Sequence, residues 1–446
     1  MKMVKKVVSA ALAASMVTSL AACGGGTQAP AADAGSKETA APELSDGDVT
    51  LRFSWWGGDS RHEATQKAVE AFMAKYPNIK VECEYGAWDG WTEKCATQLN
   101  GGTAPDLMQV NWNWLYQFSA DGSAFADINA LDIDVSGIPE NILNQCVVAD
   151  KLQAVPISAT GKCFYWNKTT FEKAGLETPK TIDDLMNAGT VFKETLGDDY
   201  YPLAMYQYER MLLMLYYLES KYGKEWVVDG TLNYTVDEVK EGLDWICSLE
   251  DAHVLPKLET LLGDGATVLE KNSKWSNGTY AGFYEWDSAC MKFKDSLEEG
   301  QEFVLGDFIS GIGDTVAGLT KISMCYAITE NSEHKAEAAL LLDFLMNDPE
   351  GVVPVAQERG IVVNEKAKQI LIDNDLLSGL IFESNEAVMK VANFSFDPNF
   401  ENSELKDSTG VYYEVFENIS ADHDSTADMA QYLADEIERI QMENPY

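Results

Sequence analysis

At 446 residues the chain is longer than one ordinary hydrophobic core serves, and two lobes are expected. Its 72 acidic residues outnumber 33 basic ones, a formal charge of -39 with no long basic patch. That excludes nucleic acid as a partner, because neutralising phosphates needs clustered Lys and Arg.

Lys2, Lys5 and Lys6 precede an apolar run from Val7 to Leu20, too short to span a bilayer comfortably, so residues 1–22 read as a signal peptide. The sequence Leu20-Ala21-Ala22-Cys23 resembles the bacterial lipobox, which makes Cys23 the expected lipidation site. Residues 23–48, rich in Gly, Ala, Pro and Thr without periodicity, read as a tether. The folded body is thereby expected on the outer face of the cell membrane. Besides Cys23 there are seven cysteines, an odd count without CxxC spacing, which points to buried small hydrophobes rather than a disulfide framework.

Leu51, Phe53 and Trp55 alternate as in a half-buried strand, and Gly57-Gly58 lets the chain turn at its carboxyl end. Asp59 or Ser60 can cap the next helix, whose apolar face is Val69, Phe72, Met73 and Tyr76. Ile79, Val81, Cys83 and Tyr85 then alternate as a second strand. Such a βαβ unit implies a mostly parallel sheet with ligands at the carboxyl ends of its strands, where Trp56, Asp59 and Arg61 fall. Trp88 to Asn100 reads as a helix, with Trp91 in the core and Trp88 free to cap a cleft. Leu107 to Val110 is a short strand ending at Asn111 and Trp112.

Asp132, Asp134, Ser136 and Gly137 open like a calcium loop, but Leu143 stands where the bidentate Glu belongs, so no metal is expected. Leu152 to Ser158, interrupted by Pro156, reads as a strand crossing between lobes, and Cys163 to Lys168 as a further strand. Helices are expected from Thr181, over 211–222 and over 236–251. A third strand end carries Glu285, Trp286 and Asp287. Lys321 to Ile328 reads as a strand returning to the first lobe, Ala338 to Leu345 as an amphipathic helix, and the tail from Glu358 as helical and acidic.

In order, Trp-Trp-Gly-Gly at 55–58, YPNIKVE, GGTAPDLMQVNWNWL, YWNKTTFEKAGLETPKTIDDL, KISMCYAI and LLLDFLMNDPEGVVPVAQERGIVVN resemble the extracellular solute-binding proteins of bacterial carbohydrate ABC importers. The resemblance implies a periplasmic-binding-protein-like α/β fold. Its two lobes, 49–157 with 322–358 and 158–321 with 359–446, are joined by several crossovers around a ligand cleft. It implies an oligosaccharide ligand delivered to permease subunits in the membrane, a monomer, and neither catalysis nor a cofactor. It also places Lys321 and Arg359 where the family crosses between lobes.

A sugar offers apolar C–H faces and a ring of hydroxyls, so its site needs aromatic plates beside amide or charged groups. Three strand ends carry that mixture. The candidate ligand-binding residues are Trp56, Asp59, Arg61, Trp88, Asn111, Trp112, Glu285, Trp286, Asp287, Lys321 and Arg359. The alternative is a secreted glycoside hydrolase or lyase with a carboxylate pair. Against it, the sequence has no HExxH, GxSxG or P-loop, and His62, His253, His334 and His423 are scattered.

Overall fold

The apolar run at 49–56 forms the strand from which the sheet grows. The computed structural model describes residues 42–446, so the expected signal peptide, the lipidation at Cys23 and most of the tether lie outside the described residues. One sheet contains β1 (Val49–Trp56), β2 (Ile79–Gly86), β3 (Leu107–Asn111), β4 (Val155–Asn167), β5 (Gly282–Trp286), β6 (Phe303–Leu305), β7 (Leu319–Ile328) and β8 (Phe394–Ser395). Its principal path is β6-β4-β7-β3-β1-β2, with β5 also on β4 and β8 on β7. The parallel pairing expected from the βαβ unit holds for β1 with β2 and β3, whereas β7 runs antiparallel to β3 and β4, and β4 antiparallel to β5 and β6. The sheet is therefore mixed.

The principal helices are α1 (Asp59–Lys75), α2 (Trp91–Asn100), α3 (Trp114–Ser119), α4 (Ile182–Thr195), α5 (Gln207–Tyr222), α6 (Val236–Asp251), α7 (Lys335–Asn347), α8 (Leu380–Val391), α9 (Val411–Ser420) and α10 (Thr426–Glu443). Gly58 is the N-cap of α1, and Asp59 sits in the first turn, where a carboxylate complements the helix dipole. Thr181 and Asp184 form a capping box on α4, as Thr235 and Glu238 do on α6.

Two large apolar cores make two lobes. The first gathers β1, β3, Val155, Ile157 and Ala159 of β4, Ile322 to Ile328 of β7, and α7. The second gathers Phe164 and Trp166 of β4, Leu319 of β7, and α4, α5, α6, α9 and α10. Strands β4 and β7 thus run through both lobes. The sequence reads 152–158 and 163–168 as two strands; residues 155–167 instead form one, buried along all 13 residues of β4, while Leu152 pairs with Val147 in a separate short hairpin. Pro156 does not break it because its partner Cys325 lies at a shift in register, where the ladder already lacks a regular bond. Helix α8 braces this crossing at Gly161, where an added Cβ would come within 2.5 Å of both Val388 methyl carbons.

The tail departs from a purely helical reading. Phe394, Phe396 and Phe400 plunge into the second core, so β8 and the loop 396–402 interrupt the helices. Among the seven cysteines of the described residues, five are buried and none is in a disulfide; Cys146 Sγ and Cys325 Sγ are 3.7 Å apart.

Glu219 on α5 is fully buried, and neither carboxyl oxygen has a hydrogen-bond partner among the described residues. Burial, then the charge of Glu225, pushes its pKa well above the ordinary carboxylate value. The acid is thus neutral when folded and ionises on unfolding. Its contribution is fully present below the unfolded pKa, about 4.3, and is lost as pH rises toward the folded value. Melting of Glu219→Gln against the parent at several pH values should show a Tm difference that shifts in favour of Gln as pH rises above about 4.5. A difference flat in pH would mean that Glu219 does not change its ionisation on folding.

Candidate functional site

The carboxyl end of β3, the crossing strands and the loop after β8 meet around a cavity of about 270 Å³. Asn111, Trp112 and Asn113 come from the first lobe, and Trp286, Ser288 and the loop 396–401 from the second. The crossing strands supply Thr160, Lys321, Ile322 and Ser323. A second cavity of about 480 Å³ continues outward, sharing Asn113, Pro398 and Glu401 and adding Tyr116, Gln117, Asn399, Asn402, Asn444 and Tyr446.

Strand register assembles the inner site. Lys162 of β4 faces Trp286 of β5, and Thr160 faces Lys321 of β7. Trp286 is half-buried, with the Lys162 and Lys321 ammonium groups 4.7 and 4.5 Å from its ring centroid and Phe396 packed at 5.4 Å. Lys321 donates to Glu401 at 2.6 Å, and Glu401 also meets Lys406 at 3.2 Å and accepts from the Tyr208 hydroxyl at 3.0 Å. Burial raises the pKa of the Glu401 carboxyl, but the two ammonium groups override it and hold it down to about 2. Burial in turn lowers the pKa of Lys321, an effect that the Glu401 carboxylate opposes. Trp112 donates through Nε1 to the Gln145 carbonyl at 2.7 Å, the same carbonyl that takes the Tyr116 hydroxyl at 2.8 Å. Asn111 turns its amide oxygen to the Trp112 N–H.

Of the residues singled out from sequence, the structure brings Asn111, Trp112, Trp286 and Lys321 to this cavity. Asp287 is fully buried behind it. Its carboxylate accepts from Thr160 Oγ1, from Asn385 Nδ2 at 2.6 Å and from Ser288 N at 2.6 Å, tying the loop after β5 to β4 and α8. Glu285 points to the other face of β5, where it pairs with Lys162 at 2.8 Å beside a separate cavity of about 100 Å³.

The group from the first strand end forms a scaffold next to the site. Arg359 is buried, donating to Gln109 Oε1 at 2.6 Å and Thr65 Oγ1 at 2.9 Å. Arg61 donates to the Glu358 carbonyl at 2.7 Å and the Trp56 carbonyl at 3.1 Å. Gly57 permits this, since a Cβ there would meet Arg61 Cδ at 2.5 Å. Trp56 is buried against Trp88 and Trp114, each 5.2 Å away, while Trp88 itself is 46% exposed and stacks on Trp114. Asp59 is exposed on α1.

Sequence reading did not find Thr160, Ser288, Ser323 or the loop 396–401. The one signal available for the loop was Phe394-Ser395-Phe396-Asp397-Pro398, an aromatic and acidic stretch closed by proline inside a tail that otherwise reads as helical. Among the described residues no group of three or more His, Cys, Asp or Glu is arranged to hold a metal, and Asp134 of the calcium-like loop is engaged by Lys366 and Ser136.

Comparison with known proteins agrees with this architecture. An oligogalacturonide-binding protein of Yersinia enterocolitica is 32% identical, over 89% of this chain and 100% of its own, with a TM-score of 0.84. A structure of such a protein from the same organism in complex with saturated digalacturonic acid is 32% identical over 90% of this chain and 100% of its own, with a TM-score of 0.72. A designed cysteine esterase is 31% identical over 90% of this chain and 100% of its own, with a TM-score of 0.85. The diacetylchitobiose-binding protein DasA of Streptomyces coelicolor is 29% identical over 189 residues, 42% of each chain. The family model described as bacterial extracellular solute-binding protein matches residues 58–351, well over half of the sequence. The chain belongs to the bacterial extracellular solute-binding protein family.

Proposed function

We propose that this protein captures an oligosaccharide between its lobes and presents it, unaltered, to the permease subunits of an ABC importer, while the lipid on Cys23 holds it at the membrane as a monomer. The observation that carries the reading is Trp286. It is a half-buried plate at the junction of the lobes, fringed by ammonium, amide and hydroxyl groups, which is the chemistry a pyranose requires. The names of the Yersinia and Streptomyces relatives support a saccharide as the ligand class. The two cores support lobes of 49–157 with 322–358 and 158–321 with 359–446 except at 359–364, where Arg359 and Asn364 bind Gln109, Thr65 and the Met346 carbonyl of the first lobe.

The hydrolase alternative loses its most accessible pair. Glu285 and Asp287 flank Trp286, but the first is bound to Lys162 and the second to Thr160 and Asn385, so neither is free to act on a bound sugar. Among saccharides, uronic-acid oligomers are favoured by a specific observation: the Lys321 ammonium lines the cavity beside the Trp286 ring, where a uronate carboxylate would share it with Glu401.

A thermal-shift screen of residues 48–446 against oligogalacturonides, chito-oligosaccharides and malto-oligosaccharides, with product analysis, tests the function. A Tm that rises with ligand concentration and sugar recovered intact is expected; shortened sugar would overturn the reading. Trp286→Ala should weaken binding by about thirtyfold, on the order of 2 kcal/mol, with a smaller fall in the unliganded Tm than Asp287→Ala produces. Asp287→Ala should chiefly lower the unliganded Tm, because it strands Asn385 and Thr160 inside the fold. Lys321→Gln should cost a galacturonide about tenfold in affinity and flatten its salt dependence while sparing neutral sugars. Equal losses for both sugar classes would remove the uronate preference.

A further inference from the structure

The outer cavity holds a side chain that does what a sugar would do. Tyr446, which follows α10, places its hydroxyl on the Asp397 carboxylate of the second lobe and its ring edge-on against Tyr116 of the first, with centroids 5.3 Å apart. Those are a hydroxyl donated to an acid and an apolar edge laid on an aromatic plate, the two contacts by which a pyranose unit is held. The acceptor is prepared for it: Asp397 also takes Gln441 Nε2 at 2.8 Å and Asn399 N at 2.8 Å, and Asn399 Nδ2 ties Gln441 Oε1 to the Asn444 carbonyl, both at 2.9 Å. Tyr116 is fixed through the Gln145 carbonyl that also fixes Trp112 of the inner cavity.

Position makes this a matter of ligand length. Asp397 lines the inner cavity, Tyr446 lines the outer one, and the two cavities share Asn113, Pro398 and Glu401. A saccharide seated on Trp286 and longer than the inner cavity must extend past Tyr446. The tyrosine is 37% exposed, with exposed Asn444 and Pro445 before it, so a competing sugar unit can reach it from solvent. We propose that Tyr446 determines the length of saccharide bound, occupying between Tyr116 and Asp397 the place of an outer sugar unit and yielding it only to longer chains. This rests on the oligosaccharide reading given above.

Titration calorimetry of the parent, Tyr446→Ala and Tyr446→Phe with digalacturonic acid and its trimer to pentamer, and with the matching chito-oligosaccharides, tests it. Removing the competitor should tighten tetramer and pentamer by about five- to tenfold in Tyr446→Ala and leave the dimer unchanged. Tyr446→Phe, which keeps the ring and loses the hydroxyl, should fall between. Parallel length profiles in parent and variant, or a loss of affinity for the long chains, would overturn the proposal, the latter because Tyr446 would then be a plate for the sugar. If neither series binds the parent at any length, the oligosaccharide reading fails and this one with it. Equal unliganded Tm values confirm that the variants are folded.

Discussion

The site depends on one constraint, the pairing of β4 with β5 and β7. Because side chains alternate along a strand, the register of Lys162 opposite Trp286 and Thr160 opposite Lys321 decides which residues face the cleft. A slip of one residue in β5 would turn Trp286 away and put Glu285 in its place. Register is held where slippage would cost most: β4 is buried throughout, Val388 fills the notch over Gly161, and Asp287 bolts the end of β5 to Thr160. Each clamp acts on a residue no more than two positions from the site.

Charge is used in the same local way. A chain with 39 more negative than positive charges still gathers Lys162 and Lys321 about one indole ring. Both are paired, with Glu285 and Glu401, and buried pairs of this kind gain little net stability because desolvation offsets their attraction. What they fix is geometry. Lys162 spans from Glu285 on one side of β5 to Trp286 on the other, so the plate cannot rotate without uncovering a buried ammonium. Removing a single member would cost far more than the pair contributes.

Much of this was legible in the sequence where one strand or helix suffices to explain a residue. The alternation over 49–56, the helix start at Thr181 and the strand ends at Asn111 and Trp286 are local signals, and their elements formed at those positions. Whether a strand-end side chain faces a ligand or a neighbour is not local. Arg359, Arg61 and Asp287 carry the polar chemistry of a binding site, yet Gln109, Glu358 and Asn385, far away in the chain, claim them. The division of β4 into two strands failed for a related reason: residues 159–162, small or polar, separate two apolar runs in the sequence, yet Thr160 and Gly161 pair with β7 and Lys162 with β5. The loop 396–401 was hidden because helical periodicity on both sides masked a short aromatic insertion whose role exists only in the folded chain.

The placement of the site also bears on closure. A ligand shifts lobe orientation only through contacts that differ between the open and closed forms. Thr160 and Lys321 lie on the crossing strands themselves, so what they bind is held in either form and contributes chiefly to affinity. Asn111 and Trp112 belong to the first lobe, whereas Trp286 and the loop 396–401 belong to the second, and a saccharide that spans them gains contacts as the lobes approach. The contacts that can couple binding to lobe orientation are therefore those that bring a group of each lobe onto one ligand. A ligand held by the crossing strands alone does not discriminate between lobe orientations, whereas one that reaches both walls does.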